Sequence, residues 1–197
     1  MKFSTRELVT LGVFGALWGA VELSFGSILH VMKVPMAGVI LTAIGLAIAM
    51  IGRLFVCRLG ATLFIGLIAA LLKLFSLGGV VIWPLFGIVI EALLADVVLS
   101  ALRKPSQGAF TMAGAIGVLW TFVHPFVMHG LIMGSGILTV WLRTLDQGSQ
   151  VLGIDPSAVI WLILALIGLR LGIGAAAGLL AWSVGRSVYA RLGRPER

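Results

Sequence analysis

Six long apolar runs, set apart by short polar breaks, limit the fold of this chain more than any other feature. They cover about residues 7–29, 36–56, 60–77, 80–102, 109–133 and 157–184. A bilayer core about 30 Å thick takes roughly 20 apolar residues of α-helix. Composition agrees, since 60% of the 197 residues are hydrophobic and 11% are charged, where soluble domains carry about 25% charged residues. The expected fold is an all-α integral membrane protein, one six-transmembrane-helix bundle spanning residues 1–197. No small-residue cleavage site follows the first run, which therefore reads as a retained span and not a signal peptide.

The breaks are Lys33 and Pro35, then Arg58, then Gly78 and Gly79, then RKPSQG at 103–108. The longest connection, 134–156, carries Ile137, Leu138, Trp141, Leu142 and Leu145 at helical spacing. That pattern predicts a short amphipathic stretch on the membrane surface.

A net charge of +7 raises the question of nucleic acid, but the basic residues answer it by position. None stands in a run longer than two, and they fall between the apolar spans. With the N-terminus inside, that side holds ten: Lys2, Arg6, Arg53, Arg58, Arg103, Lys104, Arg186, Arg191, Arg194 and Arg197. The other side holds Lys33 and Arg143, while Lys73 and Arg170 fall inside spans. Such a bias is the positive-inside signal of an even number of spans. It predicts a multi-pass protein of the cell's inner (cytoplasmic) membrane with both termini in the cytoplasm, and no nucleic-acid partner.

Small residues recur along the spans. Gly12, Gly15, Gly19 and Gly26 share a stripe with Glu22, and Ala16 and Ala20 form a neighbouring pair. The second span aligns Gly38, Thr42, Gly45, Ala49 and Gly52, and the last aligns Gly168, Gly172, Gly174 and Gly178. Lipid supplies no hydrophobic drive between helices, so close backbone approach over small residues is how such bundles pack.

The polar groups inside the spans carry the functional signal. Glu22 lies on the glycine stripe, about 22 Å along its helix, and Lys73 lies about 20 Å along the third. They share a depth. A lone charge there costs at least about 2.5–3.5 kcal/mol, so each needs a partner or an aqueous cavity. His124 and His129 belong to the outer half of the fifth helix, where Pro125 is expected to open space. Trp83 and Trp161 stand near the outer starts of the fourth and sixth, where interfacial tryptophans also collect. Glu91 is near mid-membrane, and Asp96 is deeper and about 140° around the helix. Arg170 is the expected structural partner of Asp96. Glu22, Lys73, Trp83, Glu91, His124, His129 and Trp161 together suggest an outward-facing pocket for a small polar molecule. The same residues also read as ion pairs that only fix helix register.

Signatures of catalysis are missing. Both histidines precede the Gly134–Ser135–Gly136 turn, and none follows it. They stand five apart, on different helix faces, a poor preformed metal site. There is no HExxH, P-loop or Gly-rich nucleotide fingerprint. Cys57, the sole cysteine, excludes an internal disulfide and a cysteine-cluster metal site. The expectation is a non-enzyme without cofactor or metal.

The segments TRELVTLGVFGALWGAVE, VPMAGVILTAIGLAIAMIGRL, CRLGATLFIGLIAALLKL and FGIVIEALLADVVLSALRK resemble the S components of energy-coupling factor (ECF) transporters. The last three look most like the hydroxymethylpyrimidine/thiamine type. The resemblance covers most of the chain and implies capture of a vitamin or vitamin precursor from outside. It also implies a membrane-embedded coupling protein and two cytoplasmic ATPases as partners. Family members dock on the coupling protein through a small-xxx-small motif on the first helix, which Ala16 and Ala20 match. Two other readings stay open: an autonomous transporter or channel relaying protons or cations through Glu22, Glu91, Asp96 and the histidines, and a membrane-embedded enzyme or assembly factor using the outer histidines. The lack of a visible inverted repeat weighs against the first.

Overall fold

A computed structural model describes residues 3–75, 82–102, 104–134 and 155–191, with isolated positions between 136 and 153. Its helices are α1 (Thr5–Val31), α2 (Ala37–Phe55), α3 (Ala61–Lys73), α4 (Ile82–Ala101), α5 (Gln107–Met133) and α6 (Pro156–Arg191). Among the described residues there is no strand. Five helices are long and apolar enough to cross a membrane. The exception is α3, whose 13 residues span only about 20 Å. Of the five apolar residues of the expected surface stretch, Ile137, Leu138, Trp141 and Leu145 lie outside the described residues, and Leu142 is helical and exposed.

Local chemistry sets several helix ends. Ser4 and Glu7 form a reciprocal cap: the Ser4 N–H donates to Glu7 Oε2 at 2.8 Å, and the Glu7 N–H donates to Ser4 Oγ at 3.3 Å. Ser106 begins α5 by accepting from the Ala109 N–H at 3.2 Å. Gly60, at φ 87°, begins α3, and its cap comes from another helix. Asp96 of α4 accepts from the Gly60 N–H at 2.8 Å and from the Thr62 N–H at 3.0 Å.

That contact corrects one expectation. Asp96 does not pair with Arg170; its cation is Arg53 of α2, 3.6 Å away. The open N–H groups of a helix start attract a carboxylate strongly, and α3 presents them at the depth of Asp96. Arg170 lies over the Phe122 ring at 5.4 Å and donates to the Leu166 carbonyl.

The bundle is organised around α2, which touches all five other helices. Around it run α1, α3, α4, α5 and α6, each packed on the next, while α1 and α6 share no contact among the described residues. Trp18 of α1 is fully buried, with its indole against Gly45 of α2 and 3.5 Å from the Cβ position of Gly66 of α3. Leu46, Met50, Ile65, Phe110 and Val118 complete the centre.

Only part of each glycine stripe serves packing. Gly15 meets Ile68 and Gly19 meets Leu72 of α3, whereas Gly12 faces open space. Gly114 of α5 and Gly174 of α6 lie backbone to backbone, as do Gly178 and Phe110, but Gly168 and Gly172 have no neighbour within 4 Å. Gly172 and Gly174 are two residues apart, about 200° around the helix, so the Gly168–Gly172 pair faces away from α5.

The start of α1, the α2–α3 connection and the end of α6 share one end of the bundle. Glu7 and Arg58 pair there at 2.9 Å, Phe3 lies 6.0 Å from Phe64, and Phe55 lies 5.6 Å from Tyr189. Lys2, Arg103, Arg143, Arg194 and Arg197 lie outside the described residues.

Candidate functional site

At the opposite end, α1 to α5 surround a cavity of about 350 Å³, a volume typical of small-molecule pockets. Five of the seven residues singled out in the sequence line it: Glu22, Lys73, Trp83, Glu91 and His124.

Glu22 and Lys73 form an ion pair. Lys73 Nζ lies 3.0 Å from Glu22 Oε2 and also donates to the Glu22 carbonyl at 3.1 Å. The approach depends on Gly26, whose Cβ position would stand 3.1 Å from that nitrogen. The lysine also closes the last turn of α3, where the helix dipole favours a cation. Both side chains are largely buried.

Glu91 and His124 occupy the other wall. Glu91 is buried, and among the described side chains no ion pair is made to it. Glu91 Oε1 and His124 Nε2 lie 3.7 Å and 3.8 Å from the Cβ position of Gly87, so both flank the same bare patch of α4. His124 Nε2 is buried and makes no hydrogen bond. Its ring stands edge-on to Trp120 at 5.9 Å. Pro125, next after His124 on α5, withholds the N–H that would bond the Thr121 carbonyl one turn earlier, and Thr121 lines the cavity.

Two expectations need comment. Trp161 is not part of the lining; it is 72% exposed, because α6 packs only on α2 and α5 and this tryptophan lies on its outer side. The His129 side chain lies outside the described residues. Sequence reading passed over Thr42, Gly87 and Thr121 as lining residues. Thr42 and Gly87 each stand one helical turn from a residue already singled out, or on its stripe, which is the signal that could have found them.

The arrangement holds two carboxylates, one ammonium and one imidazole. Glu22 and Lys73 pair with each other, leaving the Glu91 carboxyl on the cavity wall with no cation among the described side chains. Trp83 adds an aromatic wall, and Thr42 and Thr121 add hydroxyls. Among the described residues, no three of His, Cys, Asp or Glu group closely enough to hold a metal ion. Ala16 and Ala20 are exposed on the outside of α1, away from the cavity.

The chain matches no family model, no curated protein and no solved structure.

Proposed function

We propose that this protein is the substrate-binding subunit of an ECF-type importer in the cytoplasmic membrane. In this reading all six helices count as spans, α3 being a short one, and both termini face the cytoplasm. The cavity then opens outward and captures a vitamin or vitamin precursor, with thiamine or its hydroxymethylpyrimidine portion favoured. A coupling protein would dock on the Ala16 and Ala20 face, and two cytoplasmic ATPases would supply the energy.

One observation carries the reading: a pocket of ligand size in which Glu91 faces space while the lysine is engaged by Glu22. A buried carboxylate calls for a countercharge, and a ligand with a cationic or amino-bearing ring supplies it. Trp83 offers such a ring a stacking or cation–π surface, and His124 Nε2 offers a directional contact. Glu91, and not Glu22, is therefore the acid assigned to the ligand.

Calorimetry on purified protein tests this. Thiamine or hydroxymethylpyrimidine should bind, and Glu91→Gln should weaken binding about 10- to 100-fold, the worth of one charge-assisted hydrogen bond. No thermal stabilisation by any of a panel of vitamins and precursors would overturn the importer reading. So would uptake by liposomes that contain this chain alone.

A further inference from the structure

The end of the bundle that bears the N-terminus holds a second cleft, separate from the ligand cavity. It measures about 340 Å³ and is lined by Leu54 and Cys57 after α2, Pro105 between α4 and α5, and Arg186, Tyr189 and Ala190 of α6. Cys57 and Pro105 also border a small recess of about 30 Å³ lined by Arg53, Leu99 and Phe110. One guanidinium group thus lines the cleft and another lines the neighbouring recess.

They differ in setting. Arg186 is exposed and lies over the Trp182 ring at 5.5 Å. Arg53 is more than nine-tenths buried. Its Nη2 donates to Ser100 Oγ at 2.9 Å, while Nη1, 3.6 Å from Asp96, makes no hydrogen bond. A buried N–H without an acceptor carries a desolvation penalty that a ligand oxygen can relieve. Asp96 also accepts from the Gly60 and Thr62 N–H groups at the start of α3, and its distance of 3.6 Å leaves Arg53 Nη1 without a hydrogen bond. Exposed Lys104 adds a further positive charge next to Pro105.

Between the arginines the walls are apolar or aromatic: Leu54, Tyr189 and Ala190. The cleft lies at the ends of long apolar helices, at the level where headgroups meet water. Guanidinium forks match phosphate oxygens, and basic pockets between helix ends at this level suit anionic headgroups.

We propose that this cleft is a binding site for the phosphate of an anionic phospholipid. Arg186 meets the phosphate at the mouth, and an oxygen reaches toward Arg53. The acyl chains leave over Leu54 and the outer side of α6. The site stands independently of the importer reading.

Cys57 is the sole cysteine, is exposed, and lines both the cleft and the recess, so it reports occupancy. Delipidated full-length protein in neutral detergent is labelled with a maleimide, and its melting temperature is recorded. Phosphatidylglycerol, phosphatidylcholine and inorganic phosphate are added in separate arms. Phosphatidylglycerol should slow labelling and raise the melting temperature; the other two should do neither. Arg186→Ala should abolish both effects, while Arg191→Ala, on another face of α6, should keep them. Equal effects of the two lipids would overturn the site, as would no effect of either. Full reproduction by inorganic phosphate would make it a free-anion site and overturn the lipid assignment. Undiminished effects in Arg186→Ala, or equal loss in Arg191→Ala, would overturn the role of the cleft.

Discussion

Gly26 and Lys73 are close neighbours: a Cβ at Gly26 would stand 3.1 Å from the ammonium group, which would have to give way by a few tenths of an ångström. Lys73→Ala leaves a buried carboxylate without its cation and should destabilise the protein by about 3–5 kcal/mol. The double variant Glu22→Gln/Lys73→Met removes both charges and should regain most of the loss. Melting temperatures of the three proteins in one detergent check the pattern; a double variant no more stable than Lys73→Ala would show that the pair does not act through charge. The shared depth of Glu22 and Lys73 was legible in the sequence, because rise per residue fixes depth along a helix; their contact was not. Nor was the pairing of Asp96. Depth says which groups share a level, but a carboxylate chooses among cations and open helix ends at that level by azimuth and neighbour, and Gly60 and Thr62 gave no sign of their position. The Ser4–Glu7 cap, by contrast, stands in the sequence as the S-x-x-E pattern and needed no tertiary information.

The pairing of α5 with α6 shows how much a stripe of glycines conveys. Of the four glycines of α6, Gly174 and Gly178 meet α5, while Gly168 and Gly172 face open space. Steps of four keep each pair on one face, but the step of two between Gly172 and Gly174 turns the pairs about 200° apart. The two kinds of glycine should respond in opposite ways. Gly178→Ala forces a methyl group into the Phe110 main chain and should cost about 1–3 kcal/mol. Gly172→Ala adds a methyl group where nothing stands and should be neutral or stabilising by up to about 1 kcal/mol. Thermal unfolding of both variants reads the difference, and the same sign for both would contradict the crossing. The existence of six helices was legible because each needs a long apolar run. The short reach of α3 was not, since its apolar run continues beyond Lys73, where the helix ends.

For the molecule as a whole, the basic residues predict which side of the membrane each end faces, and Cys57 offers a direct test of it. It lies at the end shared by the start of α1 and the end of α6, the side assigned to the cytoplasm by the basic residues. In intact cells a membrane-impermeant maleimide should leave Cys57 unlabelled, and permeabilised cells should label it. In a Cys57→Ser background, Gly38→Cys, at the cavity mouth where the glycine is exposed, should show the reverse accessibility. Labelling of Cys57 from outside would invert the arrangement and remove the cavity from the extracellular face. Which helices surround α2, and in what order, was not legible: periodicity gives each helix a face and a depth but no address among its neighbours.

The missing contact between α1 and α6 makes the ring a horseshoe and not a hoop. A hoop must stretch everywhere to widen, whereas a horseshoe can spread at its gap while its other joints stay intact. The arm formed by α1 and α3, tied together by Glu22 and Lys73, borders the cavity; α6, on the far arm, does not. Resistance to widening therefore falls chiefly on the joints that α2 makes with each arm.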